Sequence, residues 1–347
     1  MSSSDSFEAR ILHWYRLNGR DLPWRHTRDP YAIWLSEVIL QQTRIEQGRD
    51  YWLRFMQRWP RVTDLAAASE DEVLLMWQGL GYYSRARNLL AAARQVVAQG
   101  GFPADFKQLK ALKGVGDYTA AAIASIAFGQ PVATVDGNVY RVLARHYGID
   151  TPIDTAAGRK VFSALAQSLL PAGQAATFNQ AMMDFGATCC TPKAPHCSQC
   201  PLQATCEALH SHRVEQLPVK KKSTQVVERY FQYVYLRCDG CTAIHRRQAG
   251  DIWQGLYEPL LYESSTATVP GELRCMPHPA AAGDARLVEL CHGVKHQLTH
   301  RILYADFYLL ATGSRPTLPP GYFWIEERNL QDYALPRLVE RLLEALP

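Results

Sequence analysis

Residues 106–139, FKQLKALKGVGDYTAAAIASIAFGQPVATVDGNV, decide how the rest of the chain is read. Phe106, Leu109 and Leu112 fall at helical spacing, and Gly114-Val115-Gly116 breaks that helix. An alanine-rich helix over 117–128 follows and ends at Gly129 and Pro131. This is a helix-hairpin-helix pattern. Two glycines at a helix N-terminus leave backbone N–H groups bare, a nest that binds phosphate without any cationic side chain. Twenty residues after Gly116, Asp136 stands between the apolar run 132–135 and Gly137-Asn138. An ordinary αα turn and an N-cap aspartate account for the same residues, so the pattern alone leaves both readings open.

At 347 residues the chain has the length of two domains, each able to bury a core. A net charge of +4 and a pI near 8.5 permit a polyanionic partner without requiring one. No run of about 18 apolar residues occurs, and the first residues, MSSSDS, lack the charged and apolar regions of a signal peptide. The expectation is a soluble cytoplasmic protein with no membrane association. Nine cysteines, an odd number crowded into two places, argue for metal ligation and against a secreted disulfide framework.

Residues 7–213 read mostly as helices. Phe7, Ile11, Trp14 and Tyr15 form one stripe, and Asp29-Pro30 caps and opens a second helix over 31–47. Glu37 lies in that helix, one turn from Ile33, Trp34, Leu40 and Gln41, which surrounds its carboxyl with mainly apolar groups. Desolvation there raises a carboxyl pKa, as a general acid near neutrality requires; a solvated helix glutamate is the alternative. Further helices are predicted over 73–77, 84–99, 156–170 and 177–186, with a Gly79-Leu80-Gly81-Tyr82-Tyr83 turn between the first two.

Cys190, Cys197, Cys200 and Cys206 follow with the spacing C-x6-C-x2-C-x5-C. Four thiolates so close in sequence can converge on one metal centre, and the spacing alone does not choose between zinc and a 4Fe-4S cluster. Cys189 lies outside the spacing and reads as a spare buried thiol. From about His212 the chain turns polar and basic without helical periodicity, a linker over 213–228 that is either a solvated tether or a phosphate contact. Strands are predicted beyond it over 230–237 and 241–246, flanking the hairpin signal Asp239-Gly240, and over 303–310. A closing helix over 336–346 carries Leu338, Leu342 and Leu343 on its apolar face.

These residues resemble the adenine DNA glycosylases called MutY, within the endonuclease III superfamily. The carriers are WLSEVILQQT at 34–43, GLGYYSRARNL at 79–89, LKGVGDYTAAAIASIAFG at 112–129, VDGNVYRVLAR at 135–145, NQAMMDFGATCC at 179–190 and the cysteine spacing. The resemblance implies a multi-domain chain. An all-α helix-hairpin-helix glycosylase domain would span 1–212, with the hairpin at about 106–129 and an iron–sulfur loop at 190–206. The linker 213–228 would lead to an α+β Nudix-like domain over 229–347 that recognises 8-oxoguanine. It implies a monomer that excises adenine mispaired with 8-oxoguanine or guanine in double-stranded DNA and carries a 4Fe-4S cluster on the four cysteines. The hairpin carbonyls would hold a monovalent cation, as in relatives.

Carried over position by position, Glu37 resembles the acid that protonates adenine N7, and Asp136 the carboxylate that stabilises positive charge at C1′ or briefly bonds to it. Tyr118 and Asn138 match residues that hydrogen-bond around these acids. Arg20, Leu22, Trp24, Arg25 and Gln180 match the pocket that receives the extruded base. Gln42 and Tyr82 match side chains that wedge into the duplex; helix surface and core packing are their plainer readings. Gly114 and Gly116 would anchor the DNA backbone. Bifunctional relatives place a lysine nucleophile where this chain has Tyr118, and a phenol forms no Schiff base, so little or no strand cleavage is expected. Two positions depart from the family pattern. Lys113 replaces the usual proline before the first hairpin glycine, and Leu298-Thr299-His300 stands where Phe-Ser-His senses 8-oxoguanine. The stretch after Glu258 supplies only Glu263, too few carboxylates for a Mg²⁺-dependent Nudix hydrolase, which implies a reader of the lesion. A bifunctional glycosylase/lyase and a non-catalytic iron–sulfur DNA sensor are the competing functions.

Overall fold

The computed structural model describes residues 6–221, 226–264, 266–267 and 286–347. The chain divides into two compact units, Met1–Ala67 with Asn88–Lys222 and Ala68–Arg87 with Ser223–Pro347.

The first unit is helical. It contains α1 (Phe7–Asn18), α2 (Pro30–Ile39), α3 (Ile45–Arg58) and α4 (Val62–Ala67); α5 (Glu70–Trp77) belongs to the second unit, and α6 (Ser84–Ala98) is cut between the two. The first unit continues with α7 (Phe106–Lys110), α8 (Asp117–Ile126), α9 (Gly137–Tyr147), α10 (Ala156–Ser168), α11 (Ala175–Thr188) and the short α12 (Glu207–His210). Side-chain caps start these helices: Ser6 accepts from Ala9 N–H, Asp29 from Tyr31, Asp105 from Lys107 and Gln108, and Asp136 from Val139. Ile11, Val142, Leu143, Phe162, Ala181 and Phe185 are almost wholly buried in one core that joins α1, α9, α10 and α11. Each large side chain there stabilises the fold by about 1.5–3 kcal/mol through burial.

Among the described residues the second unit is built on a seven-stranded sheet. Its strands are β1 (Val227–Cys238), β2 (Cys241–Arg246), β3 (Tyr257–Glu258), β4 (Leu260–Ser264), β5 (Arg286–Gln297), β6 (Arg301–Ala311) and β7 (Tyr322–Glu326). The main path runs β3-β2-β1-β6-β5, with β4 added to β1 and β7 to β2. β1 and β6 are parallel, with Tyr233 opposite Phe307, and the other pairs are antiparallel. Both faces of β1 are covered. Phe231, Tyr233 and Tyr235 pack with Leu338, Val339 and Leu342 of α13 (Arg337–Glu344), while Val234 and Leu236 pack with Leu260, Tyr308 and Leu310. A strand buried on both faces reads as a continuous apolar run, which is why 230–237 stood out in the sequence.

The structure departs from expectation at three places. The single helix expected over 31–47 is two helices: α2 ends at Ile39, α3 begins at Ile45, and Gln42 between them has φ 60°. Gln42 is thus an exposed turn residue, not a helix-surface one. The first part of the linker expected over 213–228 packs on the first unit: Leu217 is buried, Val219 O accepts from Ile153 N–H, and Asp154 accepts from Lys221 N–H. Apolar residues at alternate positions, Leu217 and Val219, anchor what its basic composition marked as a tether; residues 222–225 lie outside the described residues. The docking of residues 68–87 with the sheet unit was not expected either. Arg246 pairs with Glu70 and Asp71 of α5, and Leu335 N–H donates to Gln78.

Candidate active site and cysteine loop

A cavity of about 290 Å³ in the first unit is lined by every residue expected at the catalytic centre and in the base pocket: Glu37, Tyr118, Asp136, Asn138, Arg20, Leu22, Trp24, Arg25 and Gln180. They come from the turn after α1, from α2, α8, α9 and α11, so the site is assembled from segments far apart in sequence.

Glu37 is on the buried side of α2, where every residue from Tyr31 to Ile39 is buried. Burial raises its pKa from 4.5 to about 7; the Tyr118 hydroxyl bond opposes this, the nearby Asp136 charge adds to it, and Arg25 lowers it. A carboxyl poised near neutrality can hold a proton and release it, as a general acid must. Tyr118, in the first turn of α8, also lies 3.1 Å from Met183 Sδ. Burial, followed by the charges of Glu37 and Asp136, pushes its phenol well above the ordinary range, so it stays a protonated donor.

Asp136 serves two ends at once. Its Oδ1 accepts from Val139 N–H at 2.8 Å as the N-cap of α9, and its Oδ2 accepts from Asn138 Nδ2 at 2.7 Å. Burial raises its pKa, and those hydrogen bonds together with Arg141 work against the rise. Arg141 donates to Asn138 Oδ1 at 2.8 Å and to Gly186 O, which fixes the amide that holds Asp136. A Cβ on Gly186 would stand 2.6 Å from Asn138 Cβ, so the approach of α9 to α11 depends on that glycine.

Sequence reasoning missed the charge that holds Arg20 and Arg25 in place. Asp184, fully buried on α11, accepts from Arg25 Nη1 and Nη2 at 2.6 Å each, from Arg20 N–H and Nε at 2.9 Å, and from Arg20 Nη2. Burial alone would raise its pKa; the Arg25 and Arg20 bonds overcome that and hold it low. Its signal was present: an aspartate one turn beyond Gln180 in an otherwise apolar helix needs a cationic partner. Tyr15 was read only as stripe, yet its hydroxyl donates to Gln180 Oε1 at 3.0 Å.

At the hairpin, Gly114 has φ +74° and a Cβ there would meet the Asn88 side chain at 2.7 Å. Gly116 is the residue before α8 and is exposed. Lys113 N–H is bonded to Gln95 Oε1 at 2.7 Å.

In the second unit, Tyr82 has φ 46°, is 47% exposed, and its hydroxyl meets that of Thr299 in the turn between β5 and β6. Tyr82, Leu298, Thr299 and His300 share a cavity of about 670 Å³ in that unit. Leu298 packs against the sheet core. Asp251, Glu258 and Glu263 are bound internally. Arg247 holds Glu258 at 2.6 and 2.8 Å and Asp251 at 2.6 Å, and Arg229 holds Asp251 and Glu263 at 2.6 Å.

The four spaced cysteines follow α11 on a loop with two short turns, Cys197–Gln199, which Cys200 follows, and Gln203–Thr205, which Cys206 follows. Buried Arg145 ties the loop down, donating to Thr191 O at 2.7 Å and Pro192 O at 3.1 Å and lying 3.5 Å from Cys190 Sγ. Among the described residues no group of three or more His, Cys, Asp or Glu side chains is drawn into metal-binding geometry. The donor set nonetheless fits a thiophilic centre: four thiols on one short loop, with a guanidinium that offsets thiolate charge.

Comparison with known proteins agrees with this arrangement. A family model described as HhH-GPD superfamily base excision DNA repair protein matches residues 35–167, and one described as NUDIX domain matches 232–345. An adenine DNA glycosylase of Mus musculus is 47% identical over 215 residues, 58% of this chain and 42% of that one, so the chain spans less than half of that relative's length. An adenine DNA glycosylase of Buchnera aphidicola subsp. Schizaphis graminum is 30% identical over 344 residues, covering 97% of this chain and 98% of that one. Among solved structures, that of a thermostable thymine-DNA glycosylase matches with TM-score 0.55 and 33% identity, over 59% of this chain and 95% of that one. With a helix-hairpin-helix domain, a Nudix-like sheet domain and a relative aligned over nearly its whole length, the chain belongs to the adenine DNA glycosylase family.

Proposed function

We propose that the protein is a monofunctional base-excision glycosylase that hydrolyses the N-glycosidic bond of adenine opposite 8-oxoguanine or guanine in duplex DNA. The observation that carries this reading is the pairing of Glu37, its pKa raised to about 7, with the hydrogen-bonded Asp136 on one cavity. A glycosidic bond breaks when one group protonates the leaving base and another meets the positive charge left on the sugar. Glu37 gives its proton to adenine N7. Asp136 stabilises the oxocarbenium-like C1′ until water adds there. Arg20, Leu22, Trp24, Arg25 and Gln180 receive the base once it leaves the stack.

The phenol of Tyr118 lacks the amine needed for a Schiff base, which favours hydrolysis over strand cleavage. Gly114 and Gly116 hold a backbone phosphate, and hairpin carbonyls hold a monovalent cation. Gln42 and Tyr82 wedge into the duplex, each already in a positive-φ turn that projects it outward. Leu298, Thr299 and His300 read 8-oxoguanine from the second unit. The engagement of Asp251, Glu258 and Glu263 by Arg229 and Arg247 supports a reader over a metal-dependent hydrolase there. Cys190, Cys197, Cys200 and Cys206 would hold a 4Fe-4S cluster, which supplies a cross-link that shapes the loop over 190–206. The protein acts as a monomer in the cytoplasm, on chromosomal DNA.

The test is single-turnover adenine release from duplexes with A opposite 8-oxoguanine, G or C. Release is expected to be fastest opposite 8-oxoguanine and lost in Glu37→Gln with duplex binding retained. Equal release from all three duplexes overturns the reader role; strand nicking without alkali overturns monofunctional chemistry.

A further inference from the structure

One buried side chain holds the turn over 79–83 in an uncommon shape. Gly79 at φ 95°, Gly81 at φ 69° and Tyr82 at φ 46° are all left-handed. The two glycines reach that region freely, but Tyr82 carries a Cβ and stays there only where its surroundings hold it. Arg85 supplies much of that hold. Its backbone N–H donates to Tyr82 O at 2.9 Å. Its Nη2 donates to Leu80 O at 3.2 Å and to Gly81 O at 3.3 Å, and Gly81 O also accepts from Trp77 Nε1 at 3.0 Å. The guanidinium carbon lies 5.0 Å from the ring centre of buried Trp77 and 5.7 Å from that of half-exposed Tyr82, both within cation–π range.

The position is unfavourable for a cation. Arg85 is 9% exposed and lies in the first turn of α6, at the positive end of the helix dipole. Burial pulls its pKa down from 12.5 to about 10. An apolar side chain of similar length would fill the space without either cost, so what the guanidinium gives the turn is its donors and its charge against the two rings.

We propose that Arg85 is the positioning residue of the duplex wedge: it holds Tyr82 in its outward, left-handed conformation before DNA arrives, so that binding does not have to order the turn. This deepens the wedge reading of Tyr82 given above and rests on it. A side chain ordered in advance loses less conformational freedom on binding, and the saving shows as affinity. In this role Arg85 touches no base, and its removal acts only through Tyr82.

The experiment is a double-mutant cycle on the full chain with Arg85→Met, Tyr82→Ala and the two combined. Affinity is read by anisotropy on a duplex carrying 2′-fluoro-deoxyadenosine opposite 8-oxoguanine, whose glycosidic bond resists cleavage. Amide exchange over 79–85 is read in the DNA-free protein. Arg85→Met is expected to weaken duplex binding about tenfold, Tyr82→Ala at least as much, and Arg85→Met added to Tyr82→Ala less than twofold further. Exchange over 79–85 is expected to rise at least fivefold in Arg85→Met while that of β6 is unchanged. If denaturant unfolding shows that Arg85→Met does not fold, Arg85→Lys, which keeps a charge but lacks the planar fork, takes its place with the same expectations at threefold or more. The proposal is overturned if the Arg85 variant binds and exchanges as the parent does, or if it loses as much affinity with Tyr82→Ala present as without it. Parent-like binding by Tyr82→Ala overturns the wedge reading instead, and amide exchange then still decides whether Arg85 orders the turn.

Discussion

Replacing Glu37 with glutamine should abolish adenine release and, above neutral pH, make the protein more stable. Burial lifts the carboxyl from 4.5 to about 7, so between those values the folded chain keeps a proton that the unfolded chain has lost. Stability falls with rising pH wherever the folded state binds the extra proton. The neutral acid therefore costs the fold nothing below pH 4.5, and the full penalty is reached only above pH 7. The shift corresponds to about 3 kcal/mol, of which about 2.5 kcal/mol accrues between pH 5 and pH 8. Glutamine keeps the shape of the protonated acid and cannot ionise, so it escapes this penalty.

The assay is denaturant unfolding of parent and Glu37→Gln at pH 5 and pH 8, with the difference between the two proteins compared across pH. That difference should grow in favour of glutamine by about 2–3 kcal/mol on going to pH 8. Activity should follow the same ionisation: parent single-turnover rates should be level below pH 7 and fall about tenfold per unit well above it. A stability gap that is the same at both pH values refutes the raised pKa. A gap that opens while the rate stays flat refutes the role of Glu37 as the acid.

Tyr118→Lys places an amine beside Asp136, and borohydride should then trap a covalent DNA product that the parent does not form; absence of trapping in a folded variant refutes the distinction drawn from this position. Asp184→Asn leaves the Arg20 and Arg25 guanidiniums without their shared charge, a loss of about 3 kcal/mol in unfolding free energy. A loss under about 1 kcal/mol would show that the two arginines are solvated. Gly114→Ala forces a Cβ onto a φ of +74° and against Asn88, so duplex affinity should fall about tenfold. Anisotropy titrations over a salt series check it, and unchanged affinity and salt dependence would remove the hairpin from the DNA contact.

What could be read from the sequence was what neighbouring residues state locally. Glu37 announced its burial through Ile33 and Trp34 one turn away, and Asp239-Gly240 announced a hairpin that the structure places between β1 and β2. The break in the helix over 31–47 was not legible, because Gln42 adopts φ 60° with no glycine or proline to mark it. Asp184 was missed for a different reason. A buried charge demands a partner, but Arg20 and Arg25 lie 164 and 159 residues away, and no local pattern says which cation will arrive. Strand β5 was hard to read because its burial is intermediate or exposed throughout, and its long-range pairing with β6 carries no local signal.

Asp136 shows why a structural and a functional reading of one residue need not compete. It is the N-cap of α9, as the plainer reading held, and the capping bond from Val139 is one of the forces that favour its charged carboxylate against the burial that raises its pKa. The positive end of the α9 dipole favours the same charge. Glu37 sits mid-helix on α2 with no cap to offer, and burial outweighs the opposing Tyr118 hydroxyl and Arg25. The two acids of one cavity thus differ in what works against burial: at Asp136 it is the bonds from Val139 and Asn138 at the start of α9, and at Glu37 the Tyr118 hydroxyl and Arg25.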